Sequence, residues 1–334
     1  MLIINRIIFI TIILAILNSC GKNKFDVNIE NIKLDINIKR LDLELNSNYP
    51  DTPSVSRLKS EYGKFLDLYS KLVIEIGNPG DLNYVNYLMQ FNQYCKEYNI
   101  PNLVESKHGD LSRLTDELSL AFRYYKYYFP EKEIPTIYTF LSGFKMSVVT
   151  DEMMLGIGLE KYLGSDCELY AAQGIDKYKV RRMEPYMIPV DCMRALALSE
   201  FPYVDSVNNL LNQIVYEGKI QYFLDAMFPL GQDTVKFAYT KEQFGWAEQN
   251  ESNMWAHLIE DQILFSTDEL LIRKMIGDAP FTSIFANNSA PRAGAFLGWR
   301  IIHKYMDMNP EVSLQQLMLN NDYQGILNSA GYKP

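Results

Sequence analysis

The chain is poor in the residues that most enzymes use for metal and nucleophilic chemistry. It has 3 histidines in 334 residues, His108, His257 and His303, far apart in the chain. That spacing excludes a His-Glu-x-x-His helix, which sets two imidazoles on one face to hold catalytic zinc. No Gly-x-Gly-x-x-Gly turn, Gly-x-x-x-x-Gly-Lys-Ser/Thr loop or Gly-x-Ser-x-Gly elbow occurs, so no recognised phosphate cradle or nucleophile elbow is present, and three histidines leave few partners for a serine triad. Long basic runs are also missing. The longest, Lys177-Tyr178-Lys179-Val180-Arg181-Arg182, stands alone in a chain of formal net charge −9 and reads as a solvated helix end. Nucleic acid is therefore excluded as a partner, because a binding groove must neutralise many phosphates.

Cysteine is scarce as well. Besides Cys20 there are only Cys95, Cys167 and Cys192, an odd set that cannot form a complete disulfide framework, although one bridge such as Cys167 to Cys192 is possible. No stretch after the first twenty residues has eighteen continuous apolar residues, and there is no internal repeat or low-complexity linker.

What is present begins at the N-terminus. Arg6 precedes an apolar run from Ile7 to Leu17, followed by Leu17-Asn18-Ser19-Cys20. The run is too short to span a ~30 Å hydrocarbon layer and has a charged n-region, so residues 1–19 read as a lipoprotein signal peptide that ends before an acylated Cys20. Residues 20–24 then form a lipidated N-terminus and short tether, and 25–334 a single α+β domain. Loss of the leader removes Arg6 and no acidic residue, which makes the mature chain one charge more acidic. Several acyl chains, each contributing about 0.8 kcal/mol per buried methylene, would anchor it stably in a bilayer. Gly21-Lys22-Asn23-Lys24 carries no acidic run and no Asp beside the cysteine, which points to the periplasmic face of the outer membrane, with the inner membrane as the alternative.

Along the domain, Val27, Ile29, Ile32, Leu34, Ile36 and Ile38 recur nearly at alternate positions, which predicts a strand pair between Phe25 and Leu45. Leu58, Tyr62, Phe65, Leu66, Tyr69 and Leu72 recur at three and four, which predicts a helix. Asp81 and Asp110 are candidate caps for helices 82–98 and 111–129. Short strands are expected at 136–140 and 147–150, and helices at 157–163, 190–199 and 207–228, with a loop at 279–292. The fold class is thus α+β, predominantly helical with a small antiparallel or mixed sheet.

Three stretches carry a resemblance: Gly158-Leu159-Glu160-Lys161-Tyr162-Leu163-Gly164-Ser165-Asp166; Tyr216-Glu217-Gly218-Lys219 with Tyr222-Phe223-Leu224-Asp225; and Phe296-Leu297-Gly298-Trp299-Arg300-Ile301-Ile302. In these the chain resembles the gliding motility lipoprotein GldB family. The resemblance implies a Bacteroidetes source, a place in gliding or type IX secretion machinery, and envelope proteins as partners. It supplies no catalytic residue. More distantly the order of strands and helices is similar to predicted zinc peptidases of the zincin type, which implies a degenerate zincin-like core. The helix that would carry the metal ligands, Val190 to Glu200, has no histidine, and Glu217 alone cannot hold zinc.

The remaining candidates have plain structural readings. Glu217 lies among Ile214, Val215, Ile220 and Phe223, so it needs a buried partner, for which Arg194 or Arg300 would serve as a structural ion pair. His257 with Glu260 reads as an ordinary polar pair. Trp246, Trp255 and Trp299 read as packing. Tyr124, Tyr125, Tyr127 and Tyr128 surround one helix, so some must face a partner element or solvent. No cofactor, metal or catalytic residue is expected. The opposing reading is an envelope hydrolase using carboxylates among Asp151, Glu152, Asp191, Glu200, Glu217 and Asp225, in a groove between the strands near Ser147 and the helix of Glu217.

Overall fold

The computed structural model describes residues 23–47, 50–204 and 208–334. The leader, Cys20 and Val207, where the sequence places a helix start, lie outside the described residues.

A small sheet divides the molecule. Its strands are β1 (Ile38–Arg40), β2 (Thr136–Phe140), β3 (Val148–Asp151) and β4 (Met154–Gly158), in the order β1-β2-β4-β3. β1 and β4 run parallel to β2, and β3 pairs antiparallel with β4, so the sheet is mixed. β4 is buried along its whole length. Its Gly156 allows the rings of Phe65 and Phe140 to approach, since a Cβ there would meet both at 2.8 Å. Helix was expected from Ile157, but this end of the run completes a central strand and only Leu159–Tyr162 turns, as a 3-10 helix. Central strands buried on both faces lose the alternation that marks exposed ones.

One face of the sheet is covered by α1 (Leu41–Ser47), α2 (Thr52–Tyr62), α3 (Lys64–Leu68) and α4 (Tyr84–Glu97). Tyr138, Phe140 and Met154 point into this layer, where the Phe65 ring stacks on Tyr138 at 3.9 Å. The expected helix over 58–72 is broken at Gly63, whose φ of +49° disrupts the ladder, and ends in a π-turn at Tyr69–Val73. Asp81 accepts from the Asn78 amide and stabilises a turn instead of capping α4, which starts at Tyr84. Helix α5 (Ile100–His108) follows α4 through Asn99 at φ +56°.

Ile137, Leu155 and Ile157 point to the opposite, larger layer. It contains α6 (Ser112–Tyr128), two short helices α7 (Leu169–Ala172) and α8 (Lys177–Val180), then α9 (Ile188–Glu200) and α10 (Leu210–Met227). The chain continues through α11 (Asp233–Phe237), α12 (Lys241–Gln249), α13 (Glu251–Glu260), α14 (Glu269–Ile276), α15 (Ala293–Met308), α16 (Leu314–Leu319) and α17 (Tyr323–Ala330). Asp110 accepts from the Ser112 amide at the start of α6. Of the four tyrosines of α6, Tyr124 and Tyr125 are buried and Tyr127 is exposed.

α10 is the centre of this layer. It is buried on every side by α6, α9, α14, α15, α16 and α17, which explains why its apolar residues show no single stripe. α15 crosses it at Gly218 and Gly298, where backbones nearly touch: a Cβ on Gly298 would lie 1.8 Å from the Ile214 carbonyl oxygen.

The N-terminal segment corrects the strand-pair expectation. Only Ile38–Arg40 finds a partner strand. Residues 23–37 form a strap with turns at Lys24–Phe25 and Glu30–Asn31 and no ladder, in which Phe25, Ile29 and Ile36 are buried. The alternating residues are used for packing: Phe25 meets the Tyr222 ring edge-on at 5.0 Å, and Arg123 donates to the Ile29 carbonyl at 2.7 Å. Cys95, Cys167 and Cys192 are all free thiols, so the Cys167 to Cys192 bridge is not formed.

Candidate functional site

A helix buried on all sides should be apolar, yet α10 carries Glu217, Lys219, Gln221 and Asp225 inside the protein. Each buried charge requires a partner, because desolvation of an unpaired ion costs several kcal/mol. The partners define two polar centres along this helix.

At the first, Glu217 Oε2 accepts from Arg194 Nη2 at 2.7 Å and from Arg292 Nη2 at 2.9 Å. Arg194 comes from α9, the helix that would have carried metal ligands. Arg292 sits just before α15 at φ +50°, and its loop is fixed by Tyr239, whose hydroxyl donates to the Pro291 carbonyl at 2.5 Å. Thr282 braces the same loop, donating from Oγ1 to the Ala290 carbonyl and accepting from the Ala293 amide. Burial pushes the Glu217 carboxyl upward, but the two guanidiniums outweigh it and hold the group below the usual carboxylate range. Arg300, the other expected partner, instead faces the surface and pairs with Glu251 at 2.9 Å. Gly298 faces α10, and Arg300, two residues on and so about 200° further round the helix, faces away from it.

At the second centre Asp225 accepts from Lys236, from Trp299 Nε1 at 2.6 Å and contacts His303 Nε2 at 2.8 Å. Burial raises this carboxyl too, and the hydrogen bond with His303 and the Lys236 charge bring it below its ordinary value. Trp299 therefore packs against Phe237 and Phe296 while also satisfying a buried acid. Two turns separate Glu217 from Asp225, so both lie on one helix but serve different neighbours.

The other sequence candidates are dispersed. Asp191 accepts from the Tyr162 hydroxyl at 2.9 Å and lies 3.9 Å from Arg182. Glu200 pairs with Lys132, and Glu152 with Lys64 at the surface. His257 pairs with Asp261, not Glu260, at 3.2 Å. His108 contacts the Tyr162 carbonyl at 2.9 Å. Helix α9 packs against β3 and β4 on one side and α10 on the other, so it fills the space between the strands and the helix of Glu217. Among the described residues no three His, Cys, Asp or Glu side chains converge. Trp246 and Trp255 pack on Phe285 and Tyr332.

Sequence reasoning missed two groups. Arg292 lies in the loop before α15 and Lys236 in the five-residue helix α11, both too short for periodicity to announce an inward-facing charge. It also missed a cleft of about 770 Å³ walled by α6, the start of α9 and the Phe228–Thr240 segment. Lys236 and Tyr239 form part of its lining, so both polar centres abut it from behind.

Comparison with known proteins agrees with this picture at the level of family. The family model described as gliding motility protein GldB matches residues 22–334. No curated protein and no solved structure matches the chain. The match spans the strap, the sheet, the buried helix α10 and the Gly218–Gly298 crossing, and the chain belongs to the GldB gliding motility family.

Proposed function

We propose that this protein is a membrane-anchored lipoprotein, facing the periplasm from the outer membrane, that acts as a non-catalytic binding and assembly component of gliding or type IX secretion machinery. Family membership over residues 22–334 carries the reading. The leader ending at Ser19, just before Cys20, supports the anchor, and the matched region begins two residues after that cysteine.

The assembly role is supported by the state of Glu217. A carboxylate that accepts from two guanidiniums has its charge neutralised and its lone pairs engaged, which suits a structural brace and not a general base or metal ligand. Acylation would confine the folded domain to two dimensions and raise its effective concentration for membrane partners without chemistry.

Two variants in the native host test this. Cys20→Ala should release the protein from the membrane fraction and abolish spreading of colonies; unchanged membrane association would defeat the anchor. Glu217→Gln, accumulated to wild-type level, should still support motility or secretion and crosslink to the same envelope partners. A folded Glu217→Gln protein without function would favour the hydrolase reading.

A further inference from the structure

The strap fixes where the anchor leaves the fold. Asn23 donates from Nδ2 to the Pro229 carbonyl at 2.6 Å, Lys24 pairs with Asp307 at 2.9 Å, and Phe25 is buried against Tyr222 and His303. Only Gly21 and Lys22 separate Cys20 from Asn23. Three residues of chain reach at most about 11 Å, so a lipid carried on Cys20 would be attached within that reach of Asn23. A domain tied this closely cannot tumble freely above a bilayer.

Pro229 stands between Phe228 and Leu230, which line the cleft described above. The cleft is walled by Met187, Pro189, Val190 and Val235, and three large apolar side chains on its lining stand out into solvent. Leu230 is 81% exposed, Tyr186 50% and Leu120 46%. Its lining holds the cations Arg113, Arg181, Arg182 and Lys236 against one acid, Glu117, in a chain that is acidic overall. Several of these are engaged: Arg113 pairs with Glu117, Arg182 with Asp278, and Lys236 with Asp225 and Asp233. Arg181 is exposed and has no carboxylate partner among the described residues; its guanidinium donates to Gln243. It belongs to the basic run at 177–182, whose Lys177 is also exposed.

We propose that this cleft face lies on the bilayer, with Leu120, Tyr186 and Leu230 entering the boundary between headgroups and acyl chains and Lys177 and Arg181 meeting anionic phospholipid headgroups. The inference rests on acylation of Cys20 and goes beyond it by setting the orientation. Exposed apolar side chains with exposed cations beside them are the composition of an interfacial surface. A surface of this kind next to the anchor adds to membrane affinity and leaves the sheet and its first helical layer facing the periplasm for partners.

The test uses the full lipidated protein reconstituted in vesicles of phosphatidylethanolamine and phosphatidylglycerol, in a Cys167→Ser background because the other two internal thiols are buried. A polarity-sensitive fluorophore is placed at Leu230→Cys, or at Leu82→Cys, which precedes α4 on the other face of the sheet and is 97% exposed. Interfacial groups sit about 5–10 Å into the headgroup boundary, so headgroup-proximal nitroxide lipids should quench the label at 230 at least about threefold more than at 82. Arg181→Glu with Lys177→Glu should weaken that quenching when phosphatidylglycerol is present and leave it unchanged in phosphatidylcholine. Vesicle flotation separates the two ideas. A protein that floats with position 230 in water overturns the orientation alone, whereas one that fails to float overturns the anchor and the orientation with it. A label at 230 that becomes shielded only when an envelope protein is added assigns the face to a protein partner and overturns the proposal.

Discussion

Arg292 Nη2 lies 2.9 Å from Glu217 Oε2 although 75 residues separate them in the chain. This contact, with Arg194 on the other side, lets a carboxylate sit inside the most buried helix of the protein. It also ties three elements together, since Arg194 comes from α9, Glu217 from α10 and Arg292 from the start of α15.

Removing the acid should be far worse than removing a surface cation. Glu217→Ala leaves two guanidiniums beside each other in a largely buried site, and loss of one member of a buried pair costs about 3–5 kcal/mol. Arg300→Ala breaks only a half-exposed contact with Glu251, and should change stability by less than about 1 kcal/mol. Urea unfolding of the two variants side by side checks the ranking; equal effects would mean that Arg300 matters to the core after all.

The helix crossing should tolerate no added carbon. In Gly298→Ala the new methyl would collide with the Ile214 carbonyl oxygen at 1.8 Å, a backbone atom that cannot turn aside. Forced separation of α10 and α15 should lower stability by about 3 kcal/mol or more, at the upper end for overpacking. Gly245, which has open space around it, provides the control: Gly245→Ala should be neutral or slightly stabilising.

Acid should weaken the protein through α10. Glu217 and Asp225 are held below their ordinary values in the fold, their buried partners outweighing desolvation. A depressed carboxyl contributes stability that is present above its unfolded pKa, about 4, and is lost as pH falls through the lower folded value. Thermal melts should therefore fall steeply below about pH 4, and Asp225→Asn should flatten that fall while lowering stability at neutral pH. A variant with an unaltered acid limb would show that Asp225 does not carry the effect.

Lys219 should behave in the opposite sense. It is buried, donates to the Asn320 carbonyl at 2.7 Å, and lies over the Tyr323 ring. Burial pushes its ammonium down to about 8. The fold thus binds this proton less tightly than the unfolded chain, near 10.4, and stability rises between about pH 8 and 10 as the group is neutralised. Lys219→Met removes a burden of about 3 kcal/mol at neutral pH and loses one hydrogen bond worth about 1 kcal/mol. The variant should melt a few degrees higher at pH 7, with the gain shrinking towards pH 10. Equal gains at both values would show that the charge is not the cause.

Much of the helical layer was legible because amphipathic and fully apolar helices leave strong local signals. The strand over 136–140 and the helices over 190–199 and 207–228 were found at nearly their observed bounds. Misreadings fell where the same local pattern has two uses. Alternating Val27, Ile29, Ile32 and Leu34 suit a strand, but no neighbouring strand was available and they pack as a strap. Met154-Leu155-Gly156-Ile157-Gly158 lacks alternation because both faces of β4 are covered. Of the Glu217 centre, the need for a cationic partner and Arg194 were legible; Arg292 was not, since only the loop pinned by Thr282 and Tyr239 turns that guanidinium inward.

By itself the sequence determined the composition of the core, the scarcity of histidine that removes a metal helix, the acidic balance and the family, since each follows from residue type and local spacing. Tertiary structure alone decided which cation meets which buried acid, where α10 and α15 touch, and that the strap ends beside an apolar cleft. Those relationships join residues dozens to hundreds of positions apart, and they are fixed by packing and desolvation once the whole chain has closed around α10.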